Sequence, residues 1–309
     1  MQPVTDTFGR RFSGLRVSVT QRCNLSCPHC HREGQVRSED EMRPEEIGRL
    51  VSVAASLGAS KVKITGGEPL LRGDICDIVV AMRPHVREIS MTTNGIGLER
   101  SAAKLKQAGL DRVNISIHSL SGDNLRAISG TDYLDDFKHG LEAADSSGLK
   151  PIKLNMVVLK GINEGEIWEM AEFASQYGAI LQLIELASDR SGCNKEFFLS
   201  RHYPLKEIEA YLAANASGVS FNELHRRGRY LIEKDGKATN IEIVRSMHNS
   251  TFCANCGRLR LSSDGRLKGC LFDNEGSSDV IGALRGGASA EELRKMFLKT
   301  IGQRKPYWN

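Results

Sequence analysis

Residues 16–30 read Arg16-Val-Ser-Val-Thr-Gln-Arg-Cys23-Asn-Leu-Ser-Cys27-Pro-His-Cys30. The first five alternate in side-chain character, which predicts a short strand that turns directly into a loop with three cysteines. A closed structural zinc site needs four ligands, so three thiolates are one too few. A cubane iron–sulfur cluster held by three thiolates would keep one iron free to bind something other than protein. A partial zinc knuckle is the alternative.

Length and composition place limits on the class of protein. The chain has 309 residues, which predicts one large domain with an appended segment. It shows neither a signal-peptide pattern nor an apolar run long enough for a membrane span, so we expect a cytoplasmic protein with no membrane partner. Eight cysteines in that compartment favour metal or redox chemistry over disulfides. A net charge of +4 suits an anionic small substrate as well as nucleic acid.

The chain up to residue 187 alternates strand-like and helix-like runs, which is typical of parallel α/β units. Periodicity alone allows an open doubly wound sheet as well as a partial barrel. Pro44 followed by two glutamates predicts a helix start, and glycines at 58, 109, 148 and 178 predict helix ends. The expected strands are Leu15–Thr20, Lys61–Thr65, Glu88–Thr92, Arg112–Ile117, Lys153–Leu159 and Ile180–Leu186, and the expected helices are Pro44–Leu57, Ile75–Met82, Glu99–Ala108, Leu134–Ser146 and Glu164–Tyr177.

Residues 188–309 form a different region in which the alternation stops, and we expect it to be an extension that caps the first domain. Helices are predicted at Leu205–Ala214 and Ala290–Ile301. A hairpin is predicted from Arg229–Glu233 and Asn240–Val244, which flank Asp235-Gly236.

A second cysteine triad lies in this extension. Its members are Cys253, Cys256 and Cys270, with thirteen residues between the second and the third. A zinc ribbon completed by His248 or Cys193 is one interpretation. A second cubane cluster with a free iron is the other. Of the two remaining cysteines, Cys76 is expected in the core, and Cys193 has no assigned role.

Two arginines lie between the second and third cysteines of this triad. Arg258 and Arg260 alternate along a predicted strand, so both side chains point to one face. Such a pair can bind phosphate oxygens bidentately. A solvated strand edge is the alternative.

The first triad resembles the signature of the radical S-adenosylmethionine (SAM) enzymes, Cys-x3-Cys-x2-Cys after the first strand. That resemblance implies a partial (β/α)6 barrel of the TIM type. It also implies a [4Fe-4S] cluster on Cys23, Cys27 and Cys30 whose open iron is chelated by SAM. His29 stands where most members have an aromatic residue and is expected to lie against the adenine.

The two triads together narrow the resemblance to the GTP 3′,8-cyclases of molybdenum cofactor biosynthesis, and Cys27 to Gly34 looks archaeal-type. Matching stretches cover almost the whole chain. They are Ser18-Val-Thr with Arg22-Cys23-Asn24, Ile64-Thr-Gly-Gly-Glu-Pro-Leu70, Thr92-Thr-Asn-Gly95, Asn114-Ile-Ser-Ile117, Lys160-Gly-Ile-Asn163 and the C-terminal triad.

The cyclase resemblance implies roles for individual residues. Gly66, Gly67, Glu68 and Ser116 would bind SAM, and Cys253, Cys256 and Cys270 would hold a second [4Fe-4S] cluster whose free iron faces the guanine. An electron donor such as ferredoxin or flavodoxin would feed the protein, and a homodimer is possible. The residues implied to hold GTP are Arg16, Lys63, Thr92, Lys160, Arg258 and Arg260.

The implied reaction is radical cyclisation of GTP. A 5′-deoxyadenosyl radical takes hydrogen from C3′ of the ribose, and C3′ then attacks C8 of guanine. The product is (8S)-3′,8-cyclo-7,8-dihydroguanosine 5′-triphosphate.

The chain departs from the bacterial pattern at three places. Gln182 replaces an arginine, Ala187 stands near an expected methionine, and the C-terminus lacks the Gly-Gly tail of many members. Arg304, Lys305 or Tyr307 are the residues that could serve in place of that tail.

Two other functions are weighed against the cyclase. A peptide-maturing radical SAM enzyme with an auxiliary cluster would usually carry more cysteines in its C-terminal region. A zinc-stabilised RNA-binding module would show a basic stripe with interleaved aromatics, whereas aromatic residues make up 6% of this chain. We therefore expect no nucleic-acid partner.

Overall fold

A computed structural model describes residues 4–308 except 36, 37, 39, 191–194, 223 and 235. Its first part alternates strands and helices as the sequence predicts. The elements are β1 (Gly14–Ser18), α1 (Pro44–Ser56), β2 (Lys61–Thr65), α2 (Ile75–Met82), β3 (Glu88–Thr93), α3 (Leu98–Ala108), β4 (Arg112–Ser116), α4 (Gly122–Ser129), α5 (Leu134–Ser146), β5 (Lys153–Val158), α6 (Ile167–Gln176) and β6 (Ile180–Glu185).

Strands β1 to β6 form a parallel sheet in chain order, with each strand paired to the next. This confirms the α/β fold class with the parallel sheet that the alternating pattern predicts. The expected elements all occur, with bounds that differ by a few residues. Helix α4 is absent from the sequence prediction, since it is only eight residues long and largely polar; Ser121 caps it by accepting a bond from the Asn124 amide.

The extension adds helices and strands after residue 187. These are α7 (Lys195–Arg201), α8 (Lys206–Asn215), β7 (Gly218–Phe221), β8 (Gly228–Lys234), β9 (Lys237–Val244), α9 (Ser250–Ala254), β10 (Arg258–Leu261), β11 (Arg266–Lys268), β12 (Ser278–Asp279), α10 (Val280–Arg285) and α11 (Ala290–Gln303).

The extension lengthens the sheet at both edges. Strand β10 pairs in parallel with β1, and β9 pairs in parallel with β6. The β8–β9 hairpin is antiparallel, as predicted. Within the described residues the strands form one twelve-stranded sheet, in the order β12-β11-β10-β1-β2-β3-β4-β5-β6-β9-β8-β7. The expected extension is confirmed, and its added strands continue the sheet at both edges. The division at residue 187 stays a prediction.

The hydrophobic core lies between the sheet and the helices. In β1, Leu15 and Val17 are buried in it, and Ile47 and Leu50 of α1 are part of the same core. Since side chains alternate along a strand, Arg16 between them points to the opposite face of the sheet. Cys76 was expected inside the core and is half-buried, packed against its edge.

Helix ends follow the sequence signals. Helix α1 begins with Pro44, and the Glu46 carboxylate accepts the Arg43 amide at 2.8 Å. The four glycines predicted to end helices all adopt positive φ angles, between 56° and 111°. None of the helices in the described residues is both long and apolar enough to cross a membrane.

Candidate active site

A row of cations crosses the sheet on the face opposite the helices. Arg16 of β1 lies beside Lys63 of β2 and beside Arg260 of β10. Lys63 lies beside Ser90, which in turn lies beside Arg112. Residues side by side on neighbouring strands point to the same face. The fold thus brings together Arg16, Lys63 and Arg260, although up to 244 positions of the chain separate them.

The row carries positive charge that the protein does not fully neutralise. Burial lowers the pKa of Lys63 well below its ordinary value, and the charges of Arg112 and Arg16 lower it further. Burial also lowers the pKa of Arg258, whose Nε is buried without a hydrogen-bond partner among the described residues. Buried charge without a partner is costly in a folded protein. An anionic ligand would remove that cost.

Glu33 is the acid that faces two of these arginines. Its Oε1 accepts from Arg16 Nε at 3.0 Å and Nη2 at 2.6 Å, and its Oε2 accepts from Arg260 Nη1 at 2.6 Å. Burial opposes ionisation of Glu33, but Arg16 and Arg260 outweigh it and lower its pKa to about 2. Glu33 therefore stays a carboxylate. Sequence reasoning missed it.

A second buried charge cluster lines the other end of the sheet. Glu242 of β9 pairs closely with Lys153 of β5. Its carboxylate also accepts from Gln182 Nε2 at 3.0 Å and pairs with Arg227 Nη2 at 3.0 Å. Gln182, which replaces an arginine of the bacterial pattern, thus lies beside a guanidinium that the extension supplies.

Sequence reasoning also missed Arg227 and Arg229. Both have a buried Nε without a hydrogen-bond partner among the described residues. They belong to the basic run Arg226-Arg227-Gly228-Arg229. That run is a signal that could have found them, since three arginines beside a glycine are unusual in an ordinary surface turn.

Two residues implied to hold GTP, Thr92 and Lys160, lie outside the charge clusters described above. Thr92 is half-buried in β3 beside Asn114. Lys160 is exposed beyond the end of β5, and its backbone amide donates to Arg201 O at 2.8 Å. Thr92 is on the sheet, whereas Lys160 would have to reach inward from the surface.

The first cysteine triad lies in the loop after β1. Cys23 Sγ accepts from the Leu25 amide at 3.5 Å, and Cys30 Sγ accepts from the Arg32 amide at 3.4 Å. Burial raises the pKa of Cys27 to about 12, and the charges of Cys30 and Cys23 add to the effect. Three neighbouring thiols with amides directed at two sulfurs fit an iron–sulfur cluster, because iron holds thiolates that otherwise repel.

The Gly66-Gly67 pair brings two chain segments together. A Cβ on Gly67 would lie 2.2 Å from Arg22 O, and one on Gly66 would lie 2.6 Å from Thr20 O. The Gly67 amide donates to Thr20 O at 2.7 Å. The glycines therefore fix the segment that leads into Cys23, a role distinct from the ligand contact implied by the resemblance.

Glu68 lies next to this segment and is almost fully buried. It accepts from Thr93 Oγ1 and from the Asn94 amide, each at 2.7 Å. Burial raises its pKa to about 7, although these bonds oppose the shift. A buried acid with such a raised pKa is typical of a site that receives a cation.

Several polar groups surround the first triad at the carboxyl ends of the strands. The Tyr133 hydroxyl donates to Ser116 O at 3.3 Å, and burial raises its pKa, with the charge of Cys27 adding to that effect. Tyr133 is thus a member of this site that sequence reasoning missed. An isolated tyrosine between helices gave no signal.

His29 and His118 face each other edge to face, with ring centroids 4.7 Å apart. With Cys27 they form a group whose ligand atoms all lie within 4.8 Å of one another. His118 Nδ1 accepts the Val157 amide at 3.2 Å, so the neutral ring carries its proton on Nε2. Burial lowers the pKa of His118 well below its ordinary value. This ring therefore serves better as a hydrogen-bond donor than as a metal ligand.

The second triad lies beside the arginines of β10. Cys253 Sγ accepts from the Trp308 amide at 3.4 Å. Burial raises the pKa of Cys270, while the Phe272 amide and the charge of Arg260 oppose that shift. Thiols flanked by amides and guanidiniums fit a thiolate-held cluster. Of the alternative fourth ligands, His248 packs its ring on Trp308 at 4.4 Å, and Cys193 lies outside the described residues.

The C-terminal segment packs around this triad. Arg304 is 3% exposed, pairs with Asp6 at 2.9 Å and donates to Arg258 O at 3.0 Å. Asp6 also pairs with Arg10 at 2.7 Å. Arg304 is therefore a structural residue and does not serve as a mobile tail. Tyr307 accepts the Arg190 amide at 2.8 Å through its hydroxyl.

Comparisons with known proteins show the family to which the chain belongs. Residues 17–174 match the family described as the radical SAM superfamily, and residues 179–309 match the family described as molybdenum cofactor synthesis C. Fold and site together define a radical SAM protein. A protein of Pyrococcus abyssi called probable GTP 3′,8-cyclase is 48% identical over 98% of this chain and 99% of its own length. One of Methanothermobacter marburgensis, with the same name, is 45% identical over 99% of both chains. The chain belongs to the family of these GTP 3′,8-cyclases.

Solved structures are similar in fold. SuiB of Streptococcus suis bound to its precursor peptide SuiA matches with a TM-score of 0.65 at 15% identity, covering 96% of this chain and 75% of SuiB. The same protein bound to S-adenosylmethionine matches with a TM-score of 0.63 at 16% identity, over 88% of this chain and 64% of SuiB. At such identity the likeness shows a common fold and carries no argument for a peptide substrate.

Proposed function

We propose that this protein is a GTP 3′,8-cyclase that converts GTP to (8S)-3′,8-cyclo-7,8-dihydroguanosine 5′-triphosphate in molybdenum cofactor biosynthesis. The observation that carries the proposal is the half-buried row of cations near the two cysteine triads. A triphosphate carries several negative charges and would neutralise such a row. The names of the full-length relatives support the same substrate.

The arginines of the row would bind and orient the triphosphate. Arg16 and Arg260 lie side by side on adjacent strands, and Arg258 projects from the same face. Guanidiniums form paired hydrogen bonds to phosphate oxygens. Held at this end, the nucleoside would extend across the face of the sheet, with its ribose between the triads.

The first triad would hold a [4Fe-4S] cluster that, with SAM, supplies a 5′-deoxyadenosyl radical when bound. Glu68 supports this assignment, because a buried carboxyl would ionise against the amino group of SAM. His29 and Ser116 would position the adenosine, as the resemblance implies. Removing bulk water from this site would also protect a reactive substrate.

We also propose a second [4Fe-4S] cluster on Cys253, Cys256 and Cys270. The amide and guanidinium partners of these thiols support it. Anaerobic reconstitution with iron and sulfide tests it through the metal content. About eight irons per chain would agree with two cubane clusters, whereas zinc without labile sulfide in the second triad would contradict the proposal.

The substrate is tested by adding nucleotides to the reduced, reconstituted protein. GTP should perturb the magnetic-resonance spectrum of the second cluster, and ATP should not, because the two purines differ at the edge that would face the iron. Equal responses to the two nucleotides would contradict guanine recognition at that cluster. The same proposal includes an electron donor such as ferredoxin or flavodoxin, a homodimer, and a domain boundary at residue 187.

A further inference from the structure

The anion site formed by Arg16 and Arg260 is filled by a carboxylate of the protein itself. Glu33 bonds both guanidiniums through both oxygens, with the closest contacts at 2.6 Å. A carboxylate held in this way uses the paired guanidinium donors that two oxygens of a phosphate group would use. The substrate's anionic group and Glu33 therefore compete for the same donors.

The backbone around Glu33 holds the carboxylate in an uncommon conformation. Arg32 and Glu33 have φ angles of 47° and 54°, and neither is a glycine. Consecutive left-handed residues other than glycine persist only where surrounding contacts determine them. The paired arginines supply such contacts at Glu33. Releasing the carboxylate would let this backbone relax.

The next residue is anchored firmly. Gly34 lies so close to Leu271 that a Cβ would stand 2.1 Å from its carbonyl oxygen. Lys268 Nζ donates to Gly34 O at 2.7 Å and to Asn274 Oδ1 at 2.6 Å. The backbone is thus fixed at Gly34. Glu33 can leave the arginines through rotation of its own side-chain and backbone torsions.

The ion pairs of Glu33 with Arg16 and Arg260 are also partly exposed, so an anion from solution can exchange with the carboxylate. The side chains of Arg16, Arg260 and Glu33 are 21%, 20% and 13% exposed. A ligand that enters the face of the sheet can therefore reach the guanidiniums while Glu33 still holds them. Without a ligand, Glu33 offsets part of the buried positive charge.

We propose that Glu33 is a built-in competitor for the phosphate end of the substrate, which a polyphosphate must displace to bind Arg16 and Arg260. The proposal rests on the proposed function for the identity of the nucleotide, but the competition itself requires only an anion. It gives Glu33 two tasks. The carboxylate stabilises the empty site, and it keeps weakly bound anions from occupying the arginines.

The test is the variant Glu33→Gln in the reconstituted protein, with ligand binding measured by calorimetry. Loss of a charged competitor should tighten binding of inorganic triphosphate and of GTP about 10-fold to 100-fold. Guanosine should bind as in the unchanged protein, because it has no anionic group. The matched control is Glu45→Gln, whose carboxylate is exposed on α1.

The outcomes separate the possible roles of Glu33. Unchanged binding of triphosphate, or weaker binding, would overturn the proposal. Equal weakening of GTP and guanosine would overturn it too, since Glu33 would then bind the purine. If the glutamine variant does not fold, Glu33→Asp tests the competition instead. Its shorter side chain cannot hold both arginines, so triphosphate should bind at least about threefold more tightly. Tighter triphosphate binding without turnover of GTP would support Glu33 as competitor and contradict the cyclase function.

Discussion

Arg258→Met should separate the stability of the free protein from its affinity for substrate. Arg258 lies beside Cys256 and the other arginines of the row, and its buried Nε has no hydrogen-bond partner among the described residues. Methionine fills a similar volume without charge. Replacing a poorly compensated buried charge by an apolar side chain is often neutral or stabilising. The melting temperature of the substrate-free variant should therefore equal or exceed that of the unchanged protein.

Binding of GTP should change in the opposite direction. A hydrogen bond to a charged group contributes about 1.5–3 kcal/mol, which corresponds to a rise in Kd of about 10-fold to 150-fold. Calorimetry on the reconstituted protein measures this change. Guanosine should lose little affinity, and SAM should bind with an unchanged Kd, since neither places a phosphate at Arg258.

Arg266→Met is the matched control, because Arg266 lies on the neighbouring region of the sheet with 57% of its side chain exposed. It should leave both melting temperature and GTP binding unchanged. If Arg258→Met weakens GTP and guanosine equally, Arg258 does not meet the phosphates. If the variant melts far below the unchanged protein, the row does not carry excess charge in the free state.

Three further changes test other parts of the site. Cys27→Ala should remove about four irons and abolish reductive cleavage of SAM while the second cluster remains; cleavage at the unchanged rate would contradict the assignment. Asp6→Asn should lower the free energy of unfolding by about 3–5 kcal/mol in urea titrations, because it leaves Arg10 and Arg304 buried without their acid. Asp77→Asn is its control, because Asp77 is exposed in the first turn of α2, and equal effects of the two would refute the structural role of Arg304. Arg227→Gln should raise KM for GTP about tenfold with SAM binding unchanged; an unaltered KM would place Arg227 outside the substrate site.

Local sequence signals were sufficient for the first half of the fold. Alternating apolar residues, helix caps and glycine ends depend on neighbours within a few positions, and each strand from β1 to β6 forms where they predict it. The cysteine spacing likewise predicted the first triad. The parallel pairing of β10 with β1 could not be derived in the same way, because Arg16 and Arg260 are joined only through the tertiary fold.

Glu33 and Arg227 show the same limit of sequence-based prediction at the site, because their partners are distant in the chain. Glu33 lies in a short turn that carries no charge pattern, and its partners come from β1 and β10. Arg227 precedes β8 and meets Glu242 because β8 pairs with β9. The residue types were visible in the chain, but their distances depend on which strands become neighbours. The role of Lys160 stays a prediction, since its side chain is exposed beyond the end of β5 and outside the row of cations.

The most direct test of the central claim follows hydrogen from the substrate. The reconstituted, reduced protein is supplied with SAM and with GTP that carries deuterium at C3′, and the 5′-deoxyadenosine formed is analysed by mass spectrometry. In the proposed binding mode the triphosphate lies on the cation row and the ribose would lie between the triads, so deuterium should enter 5′-deoxyadenosine and cyclised product should form with it. If 5′-deoxyadenosine forms without deuterium, the substrate at this site is not GTP.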